Sequence, residues 1–516
     1  MSETQITYPK RENKWNDIFF YFLFNTAAIG SVILAIYNTS KSTPDYSVLK
    51  NHLSWINLIP PMHLFIPFVL CAGCILSYCF ILLLNRYTKL CVYTFSIILP
   101  IIAGIIILIA SIFTIHQGIY TFVVSLIFAL CFFISPIIIF FSRTKLPLTI
   151  EILKHSTFTL LHNTSILFIL VPVFMVLCVL IIVVICYSLL VQYLSGTTQN
   201  NEYYPPTSFY PTFLFQVFMC YWMSNVVNGI FTVCSSSVIA HHYLNNNEIG
   251  GDFTESLIHS TTKSFGSIVL GSLLLSIVQF LRFLYEMTNQ EDDDNKSSFT
   301  CLIHCCLDCI LRLIEDIIQY INRMTYVIVG MHRTSFIQSA KTACSLIKDN
   351  ITMAIMEDTI MGSVIFGLTL VSGIISGCIG SLIMMIILRS MVHSIVAFII
   401  SMIIGSLVTG FFMNAVQTST DTIMLCYTED MLVYNGIHCE KFGNIVNEFE
   451  QYHSFNSNNP ILPEESNDLD GVYAVSVVST VHLKPTNIGS FKGLYKEYRL
   501  NFILLVNMFT IEIVES

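Results

Sequence analysis

Nine uninterrupted apolar runs, each long enough to cross a bilayer, restrict what this chain can fold into: residues 17–37, 62–84, 90–114, 118–141, 164–193, 212–240, 265–286, 359–388 and 392–416. A hydrocarbon core of ~30 Å takes about 20 residues at 1.5 Å each. Backbone N–H and C=O groups find no water there, so each run predicts a helix that satisfies its own polar groups. A tenth run, 305–330, is weaker because it carries Asp308, Arg312, Glu315, Asp316 and Arg323. Composition agrees: 54% of residues are hydrophobic, 11% are charged, and mean hydropathy is +0.71. A soluble chain carries roughly a quarter charged residues and covers its surface with them. The pattern predicts an all-α polytopic membrane protein of about ten transmembrane helices with cytosolic amphipathic segments, the lipid bilayer being its solvent.

Lys and Arg set the orientation through the short loops. With the N-terminus inside, the inner segments hold Lys10, Arg11, Lys14, Arg86, Lys89, Arg143, Lys145, Lys154, Lys263, Arg323, Arg333, Lys341 and Lys348, and the outer loops hold Lys41, Lys50 and Lys296. This bias requires the charged tenth run to cross. It yields a cytosolic N-terminus (1–16), a transmembrane region (17–437) and a cytosolic tail (438–516). The tail is expected to be partly disordered, since 451–470 is rich in Asn, Ser, Pro and acids. Residues 1–16 are polar and the run after them lacks a small-residue cleavage site, so a retained first span is expected rather than a signal peptide. Residues 143–162 and 331–358 alternate at helical spacing, as interfacial helices do. Glu291, Asp292, Asp293 and Asp294 form an acidic outer loop, followed by the glycan acceptor Asn295.

Several classes are disfavoured. The chain holds no long basic block, which argues against nucleic acid, and no Walker, kinase or hydrolase signature, which argues against an enzyme or an ATP-driven pump. Of the 17 cysteines, Cys71, Cys74, Cys131, Cys178 and Cys186 lie inside apolar runs, where a thiol acts as a small hydrophobe. The group Cys301, His304, Cys305, Cys306 and Cys309 matches no standard zinc spacing, and His241-His242 lacks a partner at i+4. No cofactor or metal is expected.

Polar groups inside a membrane are costly and mark candidate sites. In the sixth run Tyr221, Trp222, Asn225 and Asn228 lie within two turns, and Trp222, Asn225 and Gly229 share a face. Aromatic faces attract a quaternary ammonium, and the amides suit a hydroxyl. The plainer alternative is an interfacial Trp with small and amide residues joining helices. Gln279 in the seventh run adds a hydrogen-bonding group. Glu315 and Asp316 are read as the only intramembrane carboxylates away from helix ends. One could neutralise a cation or carry a proton; alternatively they complete a ladder in which Arg312 meets Asp308, Glu315 and Asp316 at i±3 and i±4. Tyr320 and Tyr326 are further aromatic candidates.

The chain resembles the choline transporter-like family. The stretch FGSIVLGSLLLSIVQFLRFLYE (265–286) is similar to that family's seventh span, and INRMTYVIVGMHRTSFIQSAKTACSLIKDN (321–350) to its Asn-Arg-x-x-Tyr segment and following Ser-Ala-Lys helix. Residues 403–436, with IIGSLVTGFF and STDTIMLCYTEDMLVYNG, resemble its closing signature. The likeness runs in order over about 60–436. It implies ten helices, cytosolic termini and carrier transport of choline or a related organic cation such as ethanolamine. The chain departs from the family in a short loop at 38–60, in His241-His242 and in the tail after 437.

The expectation is therefore a carrier for a small choline-like cation, working by alternating access and driven by gradient and membrane potential or by proton antiport. A plasma membrane is favoured, and the protein is expected to be glycosylated. The rivals are an organic-cation channel and a non-transporting scaffold or lipid-handling protein.

Overall fold

The protein was analysed as a computed structural model that describes residues 15–41, 62–114, 132–141, 146–199, 202–204, 206–244, 253–290, 298–349 and 351–433, with 125, 126, 129, 130 and 143. The N-terminal segment 1–14, residues 118–124, 127, 128 and 131 of the fourth run, the acidic loop and the tail after 433 lie outside the described residues. So do Asn295 and Asn350 and the side chains of Cys301, His304, Cys305, Cys306 and Cys309.

Fourteen α-helices form the described part: α1 Ile18–Lys41, α2 Met62–Arg86, α3 Thr88–Tyr93, α4 Leu99–Thr114, α5 Ile134–Phe141, α6 Leu146–His162, α7 Val171–Tyr193, α8 Phe209–Leu244, α9 Phe253–Thr261, α10 Phe265–Gln290, α11 Ser298–His332, α12 Phe336–Asp349, α13 Ile351–Leu388 and α14 Met391–Val433. A short antiparallel hairpin, Thr197–Gln199 with Glu202–Tyr204, joins α7 to α8. The chain is thus an all-α polytopic membrane protein. Among the described residues, eight segments are long and apolar enough to cross a membrane, and each matches one of the expected runs. Of the remaining two runs, 118–141 is described only in part, and 305–330 lies within the unbroken helix α11.

Two π-helical turns interrupt the ladder, at Thr94–Ile98 and Ile166–Leu170. Each stands just before a proline, Pro100 or Pro172. Proline lacks an N–H and crowds the carbonyl one turn back, and a widened turn relieves both.

The largest core cluster joins α2, α6, α7, α8, α11, α13 and α14, around Phe231, Ile152, Leu160, Ile239 and Met413. A second cluster, with Phe24, Met219, Trp222, Ile268, Val269, Tyr326 and Phe336, packs α1, α8, α10, α11 and α12. Helices α8 and α11 belong to both and hold the bundle together. Two expectations change. Within segment 143–162, helix α6 does not lie on the outside of the bundle as expected: eleven of its seventeen residues are buried. Its Ser156 carbonyl accepts from Ser419 Oγ on α14 at 2.9 Å. The last span also continues beyond 416. At 43 residues α14 is about 60 Å long, twice a hydrocarbon core, and its polar part, Thr418–Thr422, is buried.

Asn163 is 9% exposed and donates its amide to Thr159 O at 2.9 Å, and Asn38 is 5% exposed and donates to Gln192 Oε1 at 3.2 Å. Neither amide is presented for glycosylation. With the N-terminus inside, a glycan is expected on Asn295 and none on Asn163 or Asn350. Glycosidase shift assays on single-sequon variants check this, and a glycan on Asn163 or Asn350 would overturn the ten-span orientation.

Candidate functional site

Facing polar residues of α8, α10 and α11 meet in a chain of hydrogen bonds. Asn225 on α8 donates its amide to Ser276 Oγ at 2.9 Å and Gln279 Oε1 at 2.8 Å, both on α10. Gln279 Nε2 donates in turn to Glu315 Oε1 on α11 at 3.2 Å. The other oxygen of Glu315 pairs with Arg282 of α10. Arg282 also meets Glu286 at 3.2 Å. Thus Asn225, Gln279 and Glu315, three residues expected from sequence, are linked across three helices. Tyr221 stands within electrostatic reach of Arg282, Glu286 and Glu315, and Asp316 within reach of Glu315, Arg282 and Arg312. Polar groups at helix contacts satisfy one another because few other partners exist there.

The ladder on α11 is corrected by this arrangement. Arg312 does pair with Asp308 at 2.9 Å, as the i, i+4 spacing implies, but it turns its other end toward Glu286 at 3.9 Å. The partner of Glu315 is Arg282, from a different helix.

The remaining candidates lie on other faces. Trp222 is 3% exposed; its indole N–H points to Val269 O at 3.4 Å, and its ring meets Phe24 and Phe218 with centroids 5.2 and 5.8 Å away. Tyr326 is buried, donates to Ile268 O at 3.0 Å and shares a hydrogen bond with Ser272 Oγ at 3.0 Å. Both therefore belong to the packing layer between α8, α10 and α11. Asn228 turns to α14 instead, where its Oδ1 accepts from Asn414 Nδ2 at 3.1 Å.

The Asn-Arg-x-x-Tyr segment is a three-helix junction. Asn322 donates to Gly271 O at 2.7 Å and Tyr326 clasps the same helix α10 one turn on, while Arg323 points the other way. Its Nη2 meets Asp358 of α13 at 2.5 Å and its Nε meets Asp421 of α14 at 2.9 Å. Its guanidinium lies 5.2 Å from the Tyr320 ring centre. Glu357, next to Asp358, is fully buried beside Asp421. Two corrections follow. Arg323 is a structural ion inside the protein, not a loop charge that sets orientation. Glu315 and Asp316 are not the only acids inside the helix bundle, because Glu357 and Asp421 are fully buried within it. Their signal in the sequence is an acid within an otherwise apolar helix, MAIMEDTIM and STDTIML.

Among the described residues, no cluster of His, Cys, Asp and Glu fits a metal ion. The arrangement brings amides, a carboxylate and an arginine together where three helices meet.

Comparison with known proteins gives a match to the family model described as plasma-membrane choline transporter, over residues 126–431. Relatives include a CTL-like protein of Dictyostelium discoideum, 28% identical over 224 residues, which is 42% of this chain and 40% of that protein. Choline transporter-like protein 2 of Danio rerio is 28% identical over 191 residues, 36% of this chain and 27% of the relative. Its counterpart in Salmo salar is 26% identical over 253 residues, 47% and 35% respectively. The matches thus span less than half the length of these relatives.

Proposed function

This chain belongs to the choline transporter-like family, and we propose that it is a carrier that moves choline or a similarly small organic cation across the bilayer. The observation that carries this reading is the hydrogen-bonded chain Asn225–Gln279–Glu315, half-buried between three helices. In the proposed site Glu315 and Asp316 offset the positive charge. Tyr221 offers a ring face to the trimethylammonium, which has no N–H for a carboxylate to accept. Asn225 and Gln279 orient the hydroxyl, and Asn228, which the sequence also singles out, joins α8 to α14 through Asn414. Trp222 and Tyr326 hold these groups from behind. Membrane potential is driving force enough for a monovalent cation: ~2.3 kcal/mol per 100 mV, about fiftyfold in accumulation. A plasma membrane is the proposed location.

Uptake of labelled choline into proteoliposomes tests the reading. Saturable flux supports a carrier. Flux without saturation indicates a channel, and none at all a scaffold or lipid-handling protein. Asn225→Ala is expected to weaken choline about fivefold, the worth of one net hydrogen bond near 1 kcal/mol. Tetramethylammonium, which has no hydroxyl to lose, should compete as well as before. Equal weakening of both ligands would remove Asn225 from the hydroxyl subsite.

A further inference from the structure

Three carboxylates surround one guanidinium where α11, α13 and α14 meet. Asp358 has 46% of its side chain exposed, Asp421 none, and Arg323 reaches both. Glu357 is fully buried, and neither of its oxygens has a hydrogen-bond partner. The Tyr320 hydroxyl is likewise buried without a partner. The groups facing Glu357 are Asp421 on α14, Arg323 and Tyr320 on α11, and Asp358 beside it on α13. Glu151 on α6, another helix packed against α13, is occupied by Lys154 at 3.0 Å.

Arg323 can offset Asp421 and part of Asp358, but not Glu357 as well. A buried carboxylate with neither counter-charge nor donor costs several kcal/mol. A metal ion is no remedy, because these carboxylates do not converge as ligands. One proton is: it removes the surplus charge and gives Glu357 an O–H to donate toward Asp421. We propose that Glu357 and Asp421 form a proton-binding site, loaded in this conformation, with Asp358 as its solvent-side end. The two carboxyls belong to different helices, α13 and α14. Parting those helices hydrates both groups and releases the proton. If the protein is the carrier proposed above, proton release is tied to that motion.

The proton site is tested without transport. The full chain in nanodiscs is titrated by infrared spectroscopy, reading the carbonyl band of a protonated carboxyl, for the parent, Glu357→Gln and Asp421→Asn. The expected result is a band that persists at neutral pH in the parent and is lost in Glu357→Gln. The melting temperature should fall in the parent as pH rises above the ordinary carboxyl range, about 4.3, until Glu357 ionises in the fold, and that fall should be absent in Glu357→Gln, whose amide cannot ionise. If Glu357→Gln does not fold, Asp421→Asn serves. There Arg323 is freed to offset Glu357, and the band should again be lost. A band retained in the variants, with pH–melting curves parallel to the parent, overturns the site. Choline flux under an imposed pH gradient is the second arm: the parent should respond and Glu357→Gln should not. A parent with the band but no choline flux would sink the carrier reading and leave the proton site standing.

Discussion

Arg323→Ala is expected to deprive the protein of a stable fold. Among the described residues, Arg323 is the single cation in contact with Asp421 and Asp358, and it ties α11 to α13 and α14. Alanine would leave Asp421, fully buried, with no counter-charge, next to buried Glu357. Removing one partner of a buried pair costs about 3–5 kcal/mol. A whole domain is stable by only ~5–15 kcal/mol. Arg323→Lys keeps the charge but not the planar fork that holds two carboxylates in fixed directions, so an intermediate loss is expected. Combining Arg323→Met with Asp421→Leu removes both charges and should recover part of the loss, since apolar replacements of buried pairs are often tolerated. Yield of monodisperse protein and melting temperature in one detergent decide it. An alanine variant melting within about 1 °C of the parent, about 1 kcal/mol for a chain of this size, would mean that the junction is not a keystone.

The sequence reveals this junction only in part, and the reason is physical. Apolar runs announce helices because lipid leaves the backbone no alternative, but the two π-turns before Pro100 and Pro172 are not legible, since Pro67 sits in α2 without one. Spacing within a helix also identifies local pairs, and Arg312 with Asp308 is one. It says nothing about partners on other helices. Local spacing assigns Glu315 to Arg312, yet Arg282, 33 residues earlier in the chain, takes it. Arg323 looks like a topological charge because its acids lie on helices far along the chain. Asn225, Gln279 and Glu315 stand out as polar groups at depth, and the structure joins them. Trp222 stands out equally, as an aromatic in mid-span, but a Trp that faces a solute and one that packs against Phe24 look alike in sequence. Segment 143–162 has the alternation of an interfacial helix, and the same alternation serves a helix wedged between α2 and α14. Periodicity reports a helix's contrast between faces, not what covers its polar side.

Gly330→Val is expected to force α8 and α11 apart. A Cβ on Gly330 would collide with Ser236 Oγ and lie 2.7 Å from Val233 O and 3.1 Å from Ser237 N on α8. A serine hydroxyl can rotate away, but a backbone carbonyl inside a helix cannot. Even alanine overpacks this crossing, at about 1–3 kcal/mol, and the two methyls of valine add to that. The displaced helix carries Asn322, Arg323 and Tyr326, so their bonds to α10, α13 and α14 would loosen together. Gly362 on α13 provides the contrast, because a Cβ there meets nothing within 4 Å. At that position Gly→Ala should stabilise by up to ~1 kcal/mol, through helix propensity alone. The two alanine variants, melted in the same detergent, should therefore move in opposite directions. Ser236→Ala added to Gly330→Ala removes the hydroxyl but not the carbonyl, so it should restore only part of the loss. Equal shifts at Gly330 and Gly362 would show that the α8–α11 crossing has room to spare, and that its closeness does not hold the Asn-Arg-x-x-Tyr segment in place.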